Sequence, residues 1–343
     1  MLSTRSEAIL RSIIEQYIDQ ATPISSQSIF SKRRLGVSPA TIRNEIALLE
    51  DEGYVSRPHT SAGSVPTDRG YRQYVSLLHN IELPPAEQRL IRHLFHQIER
   101  ELEEWLRLAA TLVAQLVQNM AVVSIPKTAS CRFKYLEMVA LQDVLALVVL
   151  VLRGARVKQQ LITFDQPISQ AELTTIGNKL NTVYTDLSGD EILSKEIDCT
   201  PVEQQIIDCI TKMMQTEDNQ EYEEPRLNGL HFMLSQPEFA NSQRTPSLLE
   251  LIDQGSLLNI IAPKGLSTDE VQVVIGKENK AEVIQDYSIV ISRYGLSNEA
   301  AGAIGVIGPT RMPYARAIST VNYLSRVLSG LSSELYGEDQ SVS

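Results

Sequence analysis

The sequence predicts a multidomain α+β chain. Three observations carry this. The 343 residues exceed what one ordinary domain needs. Helical periodicities dominate residues 3–120. Val- and Leu-rich strand patterns gather beyond residue 132, on both sides of a helical block.

Residues 3–20 set Ile9, Ile13 and Tyr17 beside Leu10, Ile14 and Ile18, two i, i+4 rows that form one apolar stripe. Thr22-Pro23 ends that helix, and Ser25 or Ser26 caps a short second one ending near Arg33. Gly36 supplies a left-handed conformation for a tight turn. Ser38 is then an N-cap with Pro39 at the first helical position. This third helix runs to Glu52 with Ile42, Ile46 and Leu49 inward, and Gly53 stops it. A short strand, a Gly-containing loop and a second strand follow, with Arg57 to Thr67 as the wing. That order is an N-terminal winged helix-turn-helix.

Thr67 caps a further helix through Tyr71 and Tyr74. Pro84-Pro85 opens a helical region to about Met120, roughly 50 Å long if continuous. Ile91, Phe95, Ile98, Leu102, Trp105, Ala109, Leu112 and Leu116 alternate spacings of four and three along it. The seam fits a linker that transmits geometry to, or dimerises, the DNA-binding heads, or a helix packed on its own domain. Strands are expected at 133–141, 144–152 and 157–163, and a helical, acidic block from Pro167 to about Glu224. After a helix following Thr245-Pro246 come strands at 271–275, 287–292 and 303–307, a stop at Gly308-Pro309 and a closing helix from about Pro313. Strands flanking a helical block read as one α+β domain interrupted by an insertion.

Composition excludes several classes. The longest apolar run, 145–152, is strand-sized and far short of the ~18 residues that span a bilayer. Arg5, Glu7 and Arg11 rule out a secretory signal. Cys131, Cys199 and Cys209 are widely spaced, as in a reduced, cytoplasmic protein. His231 is the only histidine beyond His96, so no metal and no cofactor are expected. There is no HExxH, P-loop or GxGxxG, and no enzyme activity is expected. Net charge is −11, yet residues 1–80 carry nine Lys/Arg against eight Asp/Glu, net +1, which leaves −12 on the rest. Lys32-Arg33-Arg34 and Arg43 gather around the turn. A head near +1 is weak for phosphate binding, so two copies are expected to act together.

With Ile42 inward, steps of 100° turn Ala40, Asn44, Ala47 and Asp51 outward, flanked by Thr41 and Arg43. Asn44 suits adenine N6 and N7, Ala40 a thymine methyl, and Arg43 guanine or a phosphate. Ser38, Thr41 and the helix N-terminal amides suit a phosphate. The wing offers Arg57 as charge and His59, Thr60 and Ser61 at a tip of small polar groups, 59–64, that lies along a sugar-phosphate backbone or minor groove. Thr310 and Arg311, in Gly308-Pro309-Thr310-Arg311-Met312, form either an anion site or a cap and a structural ion pair.

ATIRNEIALLEDEGY (40–54) and RPHTSAGSVPTDRGYR (57–72) resemble the DNA-binding domain of the heat-inducible transcription repressor family, HrcA. The likeness extends through AATLVAQLVQNMAVVSIP (109–126), LHFMLSQPEF (230–239), VVIGKEN (273–279) and IGVIGPTRMPYARAI (304–318). The resemblance implies a winged-helix domain over 1–80 and a helical linker over 81–108. It implies a discontinuous GAF-like domain over 109–165 and 222–343, and an inserted, mostly helical dimerisation domain over 166–221. It further implies a homodimer on double-stranded DNA, at an inverted-repeat CIRCE operator upstream of chaperone operons, kept active by the chaperonin GroEL, with no membrane. Family wings usually carry a basic residue where this chain has Ser64. The alternative reading is a winged-helix transcription factor controlled by a small ligand in its GAF-like domain.

Overall fold

The computed structural model describes residues 2–32, 37–59, 62–78, 81–98, 101–126, 130–153, 156–219, 225–239, 245–253, 257–261, 270–295 and 300–337. In chain order the elements are α1 (Thr4–Gln20), α2 (Ser26–Lys32), α3 (Pro39–Asp51), β1 (Val55–Ser56), β2 (Val65–Pro66), α4 (Asp68–Ser76), α5 (Pro85–Gln97), α6 (Leu102–Val117) and β3 (Met120–Val123). Then come β4 (Phe133–Gln142), β5 (Leu145–Leu152), β6 (Arg156–Thr163), α7 (Gln170–Tyr184), α8 (Gly189–Ser194), α9 (Pro201–Asn219), β7 (Arg226–Asn228), α10 (Leu230–Leu234), α11 (Thr245–Asp253) and α12 (Leu257–Ile261). The chain closes with β8 (Val271–Ile275), β9 (Tyr287–Gly295), β10 (Ala301–Pro309) and α13 (Tyr314–Gly337). The fold is mixed α+β, in two compact units.

The first unit takes 1–126, 224–297 and 301–337. Its N-terminal part packs α1 to α4 around Ile9, Ile13, Ile14, Ile29, Ile42, Ile46, Leu49 and Tyr71, all buried. Side-chain caps start three of these helices: Ser3 accepts from the Ser6 N–H, Ser38 from Thr41 and Thr67 from Gly70. Gly53, at φ +76°, turns α3 into the β1–β2 ribbon. Its remaining part is a five-stranded antiparallel sheet, order β7-β3-β10-β9-β8, sharing a core with α6 and α13.

Two places tie the N-terminal helices to this sheet. Arg72 of α4 donates to both carboxylate oxygens of Glu278 and to the Val273 carbonyl at 2.6 Å, while Asp68 accepts from the Lys277 N–H at 3.0 Å. Gly276, at φ +52°, lets that turn approach; a Cβ there would strike the Asp68 carboxylate. At the other place Arg311 donates to the Ile18 carbonyl of α1 and pairs with Glu238.

The helical region 85–120 is two helices and a strand. Ile98 and Glu101 are extended, which separates α5 from α6, and Gln118 in a left-handed conformation ends α6. Met-Ala-Val-Val at 120–123 is then a fully buried strand. Such a short apolar run is one that periodicity cannot separate from buried helix. The seam residues Ile91, Phe95, Trp105, Ala109 and Leu112 lie in the unit's own core.

The second unit is chiefly 127–223. Its three-stranded antiparallel sheet β4-β5-β6 puts Leu136, Met138, Val148, Leu150 and Ile162 into one core with Leu173, Leu180 and Tyr184 of α7 and Ile206, Ile210 and Met214 of α9. Because the strands share that core, the unit begins at Lys127, ahead of the 166 expected for an insertion. Capping boxes at Ser169/Glu172 and Ser188/Glu191 start α7 and α8. The opposite sheet face is largely apolar: Tyr135, Val139, Leu141, Val157 and Leu161 are 41–56% exposed, with Leu147, Val149 and Val151 half-buried between them and Glu137 and Gln159 flanking Val149.

Candidate nucleic-acid interface

The apolar positions of α3 face the core, so its polar ones are held outward. Ser38, Ala40, Arg43, Asn44, Ala47 and Asp51 are exposed and Thr41 is half-buried. Ser38 Oγ accepts from the Thr41 N–H at 3.1 Å and meets Thr41 Oγ1 at 2.9 Å. Those two hydroxyls therefore sit at the positive end of the helix dipole, the ordinary place for a phosphate. Arg43 Nε reaches Ser26 Oγ of α2 at 3.4 Å, a long bond that leaves most of its donors free. Among the described residues Asn44 has no side-chain partner. Sequence reasoning missed Glu45, which ties α3 to α1 through the Ser6 hydroxyl (2.7 Å) and Arg5 (3.6 Å). It also missed the exposed Leu48 on this helix, whose only signal is its position two steps from the inward Ile46.

The ribbon adjoins this helix. Arg57, read from sequence as free charge, pairs with Glu50 at 3.3 Å, both about a third exposed. His59 is exposed and its carbonyl accepts from Ala62 N–H at 2.9 Å. Thr60 and Ser61 lie outside the described residues, as do 33–36 of the turn. Ser64 is not at the tip. It is buried where the loop runs into β2, exchanging both backbone hydrogen bonds with Ile24 at 2.8 and 2.9 Å. Gly63 is required beside it, because a Cβ there would meet the Pro23–Ile24 backbone. Behind the ribbon, Arg69 stacks on the Tyr54 ring 4.5 Å away and donates to the Glu52 carbonyl.

Arg311 is 12% exposed, with donors going to Glu238, Gln236 and the Ile18 carbonyl; the Thr310 carbonyl accepts from Tyr314 hydroxyl at 2.7 Å. Burial pushes the Tyr314 and Tyr71 phenols well up, so both remain neutral. No group of metal-ligating side chains occurs among the described residues. No helix among them is long and apolar enough to cross a membrane.

The arrangement is one side-chain-capped helix with its polar face exposed to solvent. The family profile described as HrcA protein C-terminal domain matches residues 103–318. A heat-inducible transcription repressor HrcA of Dehalococcoides mccartyi is 52% identical over 98% of both chains, and one of Herpetosiphon aurantiacus 40% identical over 98% of this chain and 97% of its own. A crystal structure of a hypothetical protein, 20% identical, shares the fold with a TM-score of 0.63 over 97% of this chain and 99% of that one. The chain belongs to the HrcA family of heat-inducible transcription repressors. Its relatives are named as repressors of transcription and not as enzymes.

Proposed function

We propose that this protein represses heat-shock operons in the cytoplasm by binding, as a homodimer, an inverted-repeat CIRCE-type operator, and that the chaperonin GroEL maintains the binding-competent form. In this reading 1–80 is a winged-helix head, 81–108 a helical linker, 109–165 and 222–343 a GAF-like domain and 166–221 an inserted dimerisation domain. The observation that carries the reading is the outward face of α3, with Asn44 unpartnered and Ser38 and Thr41 at its capped end. Asn44 reads adenine, Ala40 contacts a thymine methyl, and Arg43 takes guanine or a phosphate. The ribbon lays His59, Thr60 and Ser61 along the backbone, and Arg57 contributes once it leaves Glu50.

The dimer is supported by the largely apolar outer face of β4-β5-β6, strands that share one compact unit with 166–221; the face is larger than isolated surface hydrophobics account for. A two-fold dimer matches a palindrome. The body's negative charge, −12 outside residues 1–80, disfavours nonspecific binding along DNA. The test is fluorescence anisotropy of a labelled inverted repeat against a scrambled duplex, with and without chaperonin. The expected result is a preference of about 1000-fold, lost in Asn44→Ala. Equal binding to both duplexes with chaperonin present refutes the proposal.

A further inference from the structure

A cavity of about 330 Å³ lies between α5, the segment 81–83 and α13. Both helices build it with i, i+4 pairs, which share one helix face: Gln88 and Arg92 on α5, and Asn322 and Arg326 on α13. Its walls are of two kinds. Ile81, Leu83, Val327 and the Tyr323 ring are apolar, and Leu83 is fully buried. The Tyr323 hydroxyl donates to the Gln88 carbonyl at 3.0 Å and the Gln88 amide to the Leu83 carbonyl at 2.7 Å, which fixes those walls.

The polar side is unbalanced. In the same unit Arg72, Arg226, Arg311 and Arg316 each pair with a glutamate. Arg92 and Arg326 have no acceptor among the described residues, although Glu82 lines the same cavity. The Asn322 side chain is also unpartnered. Two guanidiniums, which can only donate, and an amide that can donate line the same partly apolar cleft, and guanidinium forks match carboxylate and phosphate oxygens. The volume is at the small end of pockets that hold organic ligands.

We propose that this cavity binds a small organic anion, with a phosphate or carboxylate head on Arg92, Arg326 and Asn322 and a short apolar body against Leu83, Tyr323 and Val327. Glu82 opposes the negative head and keeps binding modest. The site is separate from α3, so its test is independent of DNA binding.

The experiment is isothermal titration of the full chain with phenyl phosphate, benzoate, benzyl alcohol and inorganic phosphate. Phenyl phosphate or benzoate is expected to bind, whichever is tighter naming the head group. Benzyl alcohol lacks the charge and inorganic phosphate the apolar body, so each is expected to bind at least about tenfold more weakly. Arg92→Ala and Arg326→Ala, both exposed and outside the core, are expected to melt as the parent does while losing about tenfold in affinity each. Glu82→Gln is expected to tighten binding. The proposal is overturned if neither aromatic anion binds at millimolar concentration, if inorganic phosphate binds as tightly as phenyl phosphate, or if the double arginine variant binds unchanged.

Discussion

Neighbouring valines on β5 separate folding from assembly. Val148 is fully buried, between Met138 of β4 and Gln160 of β6 in register and against the second unit's helices. Val149 points through the opposite face, with Glu137 and Gln159 as its partners across the ladder. Val148→Lys forfeits roughly 1.5–3 kcal/mol of apolar burial and adds several kcal/mol for an unpaired buried ammonium. Their sum rivals the whole stability of an ordinary domain, about 5–15 kcal/mol. Val149→Lys meets Glu137 directly across the strand, a pairing worth roughly 0.2–1 kcal/mol in its favour. The fold therefore survives it. If two outer faces pack on one another, however, the lysine enters that interface twice by symmetry. Dimer association is then expected to weaken by at least about 100-fold, or about 2.8 kcal/mol. Circular dichroism melts and sedimentation equilibrium on both variants read the two quantities separately. Val148→Lys should lose the second unit's cooperative transition; Val149→Lys should keep it and sediment as a monomer. A Val149→Lys protein that unfolds with Val148→Lys, or one that dimerises as the parent does, refutes the assignment of the two faces.

Three further outcomes are expected. Ser38→Ala removes the α3 cap and should cost about 1 kcal/mol in denaturant titrations, with weaker operator binding in anisotropy. Arg72→Ala removes the bonds to Glu278 and Val273; both charged groups are over a third exposed, so solvent screening limits the loss to about 1 kcal/mol, read as faster amide exchange in α4. Glu172 and Glu191 are held below the usual carboxylate range by the N–H groups and hydroxyls of Ser169 and Ser188. Burial raises Glu203, but Thr200 N–H and Lys179 outweigh it and its net shift is also down. Each thus contributes stability that is complete above the unfolded carboxylate value and is lost as pH falls through the folded one. Thermal melts of the second unit from about pH 6 to about pH 3 should show that acid-side decline, made shallower by Glu172→Gln with Glu191→Gln.

Much of the N-terminal part was legible because local chemistry decides it. Ser38-Pro39 starts α3, Gly53 stops it, and a 100° step from Ile42 places Ala40, Asn44 and Ala47 on the exposed side. What was not legible depends on distant partners. Met120 to Val123 reads as the end of a helix until β7 and β10 flank it. The unbroken apolar run of β5 reads as buried on both faces, yet one face is open. Arg57 has no local signal of its pairing with Glu50, and Arg311 none of its bond to a carbonyl nearly three hundred residues earlier. Ser64 looked like a tip residue because ribbon length is not written in composition; its bridge to Ile24 is a tertiary contact.

The two attachments of α1 and α4 to the sheet, at Ile18 and at Glu278, bear on operator geometry. A body fastened at one point swivels; fastened at two, it turns only about the line that joins them, and here the shared apolar core, with Tyr71 against the Tyr314 ring at 5.5 Å, resists that turn. Each recognition helix would then have a set azimuth against the sheet of its own unit. Each base pair inserted between half-sites rotates one of them by roughly 35° about the duplex. A head on a swivel would absorb that rotation, whereas this one would pass it on as lost contacts. Where the proposed dimer as a whole is as stiff as this attachment, binding is expected to rise and fall with the helical phase of the spacer.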